Sequence, residues 1–158
     1  MSLTFLLGSG LISYVLCKEG LVRPRPYKIE QFGGTLPFFP CYSPGVRPFC
    51  TLPKIECTKS FPSGHATSGF YFLSLFFVGR RAKKKWLERG GLLFGLLFGL
   101  LLSLARILQG GHFFSDVLFA ALIMWECAYF ADWFVFSLKP SSLLLKKVKN
   151  VLDEAPYP

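Results

Sequence analysis

Long apolar runs alternate along this chain with short basic or proline-rich stretches, and that alternation sets its architecture. Leu3 to Cys17 carries no charged side chain. Three further apolar runs follow, Ala66 to Gly79, Gly90 to Leu108 and Phe113 to Leu138, the last interrupted by Asp116, Glu126 and Asp132. Crossing hydrocarbon takes roughly 20 residues, so the first run is short and reads as the second part of a spanning helix. It lacks the basic start and the small-x-small site of a cleaved signal. Residues 18–61 hold Pro24, Pro26, Pro37, Pro40, Pro44, Pro48 and Pro53, which together forbid a long helix and predict a loop outside the bilayer. The pattern predicts an all-α polytopic membrane bundle of about four spanning helices with one long extracytoplasmic loop. Residues 1–138 form its integral-membrane domain and 139–158 a basic cytoplasmic tail. In the third run Gly91, Gly95 and Gly99 recur every fourth residue, a face on which helices approach closely in lipid.

Composition fits this reading. The 158 residues suffice for one domain, 52% are hydrophobic and only 17% charged, and the mean hydropathy is +0.44, too apolar for an ordinary soluble domain. The net charge of +9 raises nucleic acid as a partner. The basic residues lie between apolar runs rather than interleaved with aromatics, so nucleic acid is excluded. Six Lys/Arg in 80–89 and four in the tail exceed, on one side, the seven spread over the long 18–61 loop. The positive-inside rule therefore places 80–89 and 139–158 in the cytoplasm. Cys41, Cys50 and Cys57 in the loop leave open a disulfide with one free thiol or a zinc site completed from elsewhere; their spacing favours the disulfide.

With four alternating spans, the polar residues at the helix ends meet on one membrane face. Lys18 and Arg25 close the first run, His65 opens the second, Arg106 ends the third, and His112 and Asp116 open the fourth. Ionisable groups at the edge of a span are costly unless paired or used. In Pro62-Ser63-Gly64-His65, Ser63 can cap the following helix, leaving the amides of Ser63, Gly64 and His65 as donors for an oxyanion or phosphate. His112 and Asp116, four apart on one helix face, allow the carboxylate to fix the imidazole tautomer, or merely to satisfy it. A bound cation is disfavoured by the surrounding positive charge. Lys18, Arg25 and Arg106 instead suit phosphate oxygens.

These stretches resemble the three signature motifs of the type 2 phosphatidic acid phosphatase superfamily: Lys18-(six residues)-Arg25-Pro26, Pro62-Ser63-Gly64-His65, and Arg106-(five residues)-His112-(three residues)-Asp116. The resemblance covers residues 18 to 116. It implies a metal-independent hydrolase, without cofactor, acting on a lipid-linked phosphate through a phosphohistidine. His112 would be the nucleophile, Asp116 its orienting partner and His65 the proton donor to the leaving oxygen. Lys18, Arg25, Arg106, Ser63 and Gly64 would hold the phosphoryl oxygens. Lipid A, phosphatidylglycerophosphate, phosphatidic acid and undecaprenyl diphosphate are all compatible. Gln109-Gly-Gly-His-Phe-Phe-Ser-Asp116 resembles bacterial members that act on the first two, with a site facing the periplasm from the inner membrane. Vanadium-dependent haloperoxidases share such an anion pocket but are soluble. The chain departs from the family in two ways. Ala105 stands where a serine normally precedes the arginine, with Ser103 two positions earlier. Relatives typically have six spans, which implies helices preceding Leu3 and admits, as the alternative, a truncated, inactive copy with an interaction role.

Overall fold

A computed structural model describes residues 1–18, 23–38 and 59–137, with side-chain detail for 14–18 excluded. The expectations for Cys41, Cys50, Cys57 and the 139–158 tail, and for most of the long loop, lie outside the described residues. The first run opens as α1 (Ser2–Phe5) and continues as a π-helical segment (Leu6–Lys18). Two 3-10 turns follow, Pro26–Lys28 and Glu30–Phe32. The second run is helical from Gly64 to Arg81 but is made of three pieces: α2 (Gly64–Phe70), a 3-10 turn (Tyr71–Leu73) and α3 (Ser74–Arg81). The third and fourth runs form α4 (Lys85–Leu108) and α5 (Phe114–Ser137), each of 24 residues.

Both long helices are apolar enough to cross a membrane, with mean hydropathies of 2.2 and 1.5. At 1.5 Å per residue each is about 36 Å long, matching a hydrocarbon core of about 30 Å. Against the expectation of about four spans, two helices among the described residues have full spanning length. The other two runs are apolar helical segments of shorter or interrupted form. Leu93, Leu97, Leu100, Leu104 and Leu108 are exposed along α4, as a lipid-facing stripe requires.

The opposite face of α4 carries the predicted glycines, and all three are buried. A Cβ on Gly91 would lie 2.6 Å from Leu75 Cβ, one on Gly95 2.6 Å from the backbone N of Leu73, and one on Gly99 2.2 Å from the Phe70 ring. Gly69 of α2 meets the same seam, its Cβ position lying 2.7 Å from Gly99 Cα. The glycine face thus seats α4 against α2 and α3 at backbone contact. Ala66, Phe70 and Leu73 then pack on Val117, Ala120 and Met124 of α5 to form the core. The first segment joins the same bundle through Gly8, whose Cβ position lies 2.6 Å from Met124 Sδ, and through Ser9 Oγ, 3.3 Å from Thr67 Oγ1.

The end of the bundle remote from His112 is tied by charge. Arg81 pairs with Asp132 through both guanidinium edge nitrogens, Nη2 to Oδ2 at 2.7 Å, and lies 4.4 Å over the Phe136 ring. Arg81, which closes α3, therefore engages the acidic Asp132 of the fourth run.

Candidate active site

The site is built where α4 ends and α5 begins. Gln109-Gly110-Gly111 stops α4 in a Schellman arrangement: the Gly110 amide donates to the Ile107 carbonyl and the Gly111 amide to the Arg106 carbonyl, both at 2.9 Å. Gly110 takes φ +63°, a left-handed conformation that glycine adopts without penalty. Its carbonyl accepts the Tyr27 amide at 3.1 Å, which draws the segment containing Arg25 and Pro26 onto the turn. The Arg106 side chain folds over the same turn, with Nη2 3.5 Å from the Cβ position of Gly111 and Nη1 donating to Gln109 Oε1 at 2.8 Å.

His112 follows directly and is buried. The helix starts only at Phe114, so His112 and Asp116 do not meet as neighbours on a helical face, as the spacing predicted. Asp116 is the third residue of α5, and its Oδ2 reaches back to accept the Phe113 amide at 2.8 Å, the acidic half of a capping box. That backward reach brings the carboxylate to 3.7 Å from His112 Nδ1.

Asp116 is also where three distant parts of the chain converge. Its side chain is fully buried. Oδ1 accepts from Arg23 Nη1 at 2.7 Å, and Oδ2 accepts from Ser60 Oγ at 2.5 Å. Its backbone carbonyl accepts the Ser63 amide at 3.2 Å. Ser63 caps α2 as predicted, Oγ accepting from the Ala66 amide at 3.3 Å. The expectation that the Ser63 amide is a free donor is corrected: it is spent on the Asp116 carbonyl. Gly64 is the first residue of α2, and His65 beside it is exposed.

Sequence reasoning missed Arg23 and Ser60. Arg23-Pro24-Arg25-Pro26 contains two Arg-Pro pairs, and motif spacing selects the second. A doubled Arg-Pro was the available signal; nothing local marks Ser60. Lys18 ends the π-helical segment. The buried Nε atoms of Arg25 and Arg106, and Nδ1 of His112, make no hydrogen bond among the described residues. Ser103 does not replace the serine missing before Arg106, because its hydroxyl bonds the Gly99 carbonyl at 2.7 Å on the buried face of α4.

Beside His112 lies a cavity of about 490 Å³, lined among others by Tyr27, Phe32, Gln109, Phe113 and Phe114. Its aromatic and aliphatic walls beside the His112 imidazole suit an apolar body.

Comparison with known proteins agrees with this geometry. The pattern of the PAP2 superfamily matches residues 1–139. The chain belongs to the PAP2 superfamily. It is similar to a lipid A 4'-phosphatase from Francisella tularensis subsp. novicida (strain U112), with 33% identity over 132 residues, 84% of this chain and 53% of that protein. The chain thus spans about half the length of that relative. No solved structure matches it. This is the type 2 phosphatidic acid phosphatase superfamily that the three motifs resemble.

Proposed function

We propose that this protein is a metal-independent membrane phosphatase that hydrolyses a lipid-linked phosphate through a phosphohistidine at His112. The observation that carries the proposal is the buried His112 imidazole with Nδ1 turned to the Asp116 carboxylate. A proton held on Nδ1 leaves the Nε2 lone pair free to attack. The separation of 3.7 Å is longer than a hydrogen bond, as is common before substrate is bound. Nε2 attacks phosphorus as the bond to the leaving oxygen breaks, and His65, as imidazolium, gives that oxygen its proton. Arg25, Arg106 and Lys18, with the Ser63 hydroxyl and Gly64, hold the phosphoryl oxygens, since phosphoryl transfer depends chiefly on positioning and charge. Water then gives a proton to neutral His65 and cleaves the P–N bond, releasing phosphate and restoring His112. The donor set, two histidines and one aspartate among several cations, suits an anion better than a divalent metal.

The aromatic cavity supports a lipid body next to the phosphate, and the relative favours a lipid A-type substrate among the candidates. Four membrane passages, a site facing the periplasm and a location in a bacterial inner membrane complete the reading. Their support is the basic cluster at Arg80–Arg89, at the opposite end of α4 from the site. The test is phosphate release by purified protein in EDTA, over lipid A, phosphatidylglycerophosphate, phosphatidic acid and undecaprenyl diphosphate. Release by the wild type and none by His112→Ala is expected. Equal turnover by the two would sink the phosphohistidine; no release from any substrate by folded protein would point to an inactive family copy.

A further inference from the structure

The motif reading leaves Arg23 unused, yet its guanidinium is held against Asp116. It is buried and donates through Nη1 to Asp116 Oδ1 and to Ser115 Oγ, both at 2.7 Å. The Phe113 ring covers it, with centroid 3.9 Å from Cζ, and Phe38 lies at 5.7 Å. Its own backbone carbonyl accepts the amide of Ser60 at 2.9 Å, and the Ser60 hydroxyl grips the other Asp116 oxygen. Asp116 is thus held from both sides by two residues that are themselves paired through the backbone.

We propose that Arg23 is a positioning residue that acts on His112 through Asp116, neutralising the carboxylate so that His112 stays an uncharged nucleophile. This rests on the phosphohistidine reading only for its kinetic arm. A bare carboxylate 3.7 Å from an imidazole favours the imidazolium, whose proton blocks attack. A guanidinium, which does not lose its charge in proteins, cancels that preference while leaving Asp116 able to accept the Nδ1 proton. Among the described residues, the charged or titratable groups at this end include Arg25, Tyr27, Lys28 and Glu30 from the segment after Pro24, Lys59 and His65 around the start of α2, and Arg106 at the end of α4. The cations among these disfavour the imidazolium in the wild type and in any Arg23 variant alike. The contribution of Arg23 is therefore separable by substitution.

The experiment is a nuclear magnetic resonance titration of labelled histidine in detergent-solubilised full chain. The sequence has two histidines, so a His65→Ala sample assigns His112. In Arg23→Gln the His112 titration should move to higher pH, and in Arg23→Lys by less than half as much. The acidic limb of the kcat/KM profile should move to higher pH in step. An unmoved His112 titration in folded Arg23→Gln overturns the proposal, as does a raised KM with an unmoved limb, which would make Arg23 a phosphate ligand. Arg23→Met keeps the stem against Phe113 and serves the same comparison if Arg23→Gln does not fold. Failure of both neutral variants to fold, with Arg23→Lys folded, makes the pair structural and also overturns it. A shifted titration in a protein that releases no phosphate leaves Arg23 in its role and removes the phosphatase reading instead.

Discussion

Asp116 and the groups around it define what single side chains do here. Its carboxylate accepts a guanidinium, a hydroxyl and a backbone amide while standing within ion-pair range of His112. Burying such a charge is tolerable only when every acceptor position is filled, so each partner matters more than an ordinary surface contact. Asp116→Ala leaves Arg23 buried without its counter-ion and should lower unfolding stability by about 3 kcal/mol, measurable by denaturant unfolding in detergent. Ser60→Ala removes one hydrogen bond to a charged acceptor and should cost about 2 kcal/mol while keeping more turnover than Asp116→Asn. His112→Ala should lose on the order of 10³-fold or more in kcat with stability little changed.

At the scale of elements, α4 is shaped by two opposed faces. Its leucines are exposed and its glycines touch the backbone of α2 and α3. Space decides what a methyl group does on it. Gly99→Ala would drive a Cβ into the Phe70 ring and should destabilise the fold by about 1–3 kcal/mol, by the same unfolding assay. Gly90 lies one position outside the seam, with nothing within 4 Å of its Cβ position, and Gly90→Ala should be neutral or stabilising by up to about 1 kcal/mol. This face was legible in the sequence because a four-residue repeat of small residues has a single helical meaning. The start of α5 was not. His112 and Asp116 have helical spacing, but Gly110 and Gly111 end one helix and Phe113 opens the next, so the pair meets across a capped turn. The first two apolar runs were legible as helical. Their π-helical and 3-10 interruptions carry no mark in hydropathy, which records only which residues avoid water.

For the whole molecule, the length of α4 and α5 separates two ends of unlike chemistry. Arg80, Arg81 and Lys83 surround the short connection between α3 and α4, whereas the arginines of the site gather at the other end. A cysteine placed at Lys83 should be labelled by an impermeant reagent only after the membrane is opened, and one at Gln109 from the outer side of intact cells, in a background without other reactive cysteines. Labelling of both from the same side would contradict the orientation. The convergence of His65, Arg106, His112 and Asp116 at one end was legible because alternation of spans is simple geometry. Arg23 was hidden because its partner is 93 positions away, and only the folded chain reveals it.

That distance has a consequence for how the protein comes into being. Asp116 gathers Arg23, Ser60 and Ser63, and the ribosome makes all three before it. Until α5 joins the bundle, Arg23 and Ser60 lack the carboxylate they will share. A nascent chain halted before α5 would expose a cationic, unassembled rim to the lipid headgroups. The cluster around Asp116 is thus completed in one step, when α5 joins the bundle.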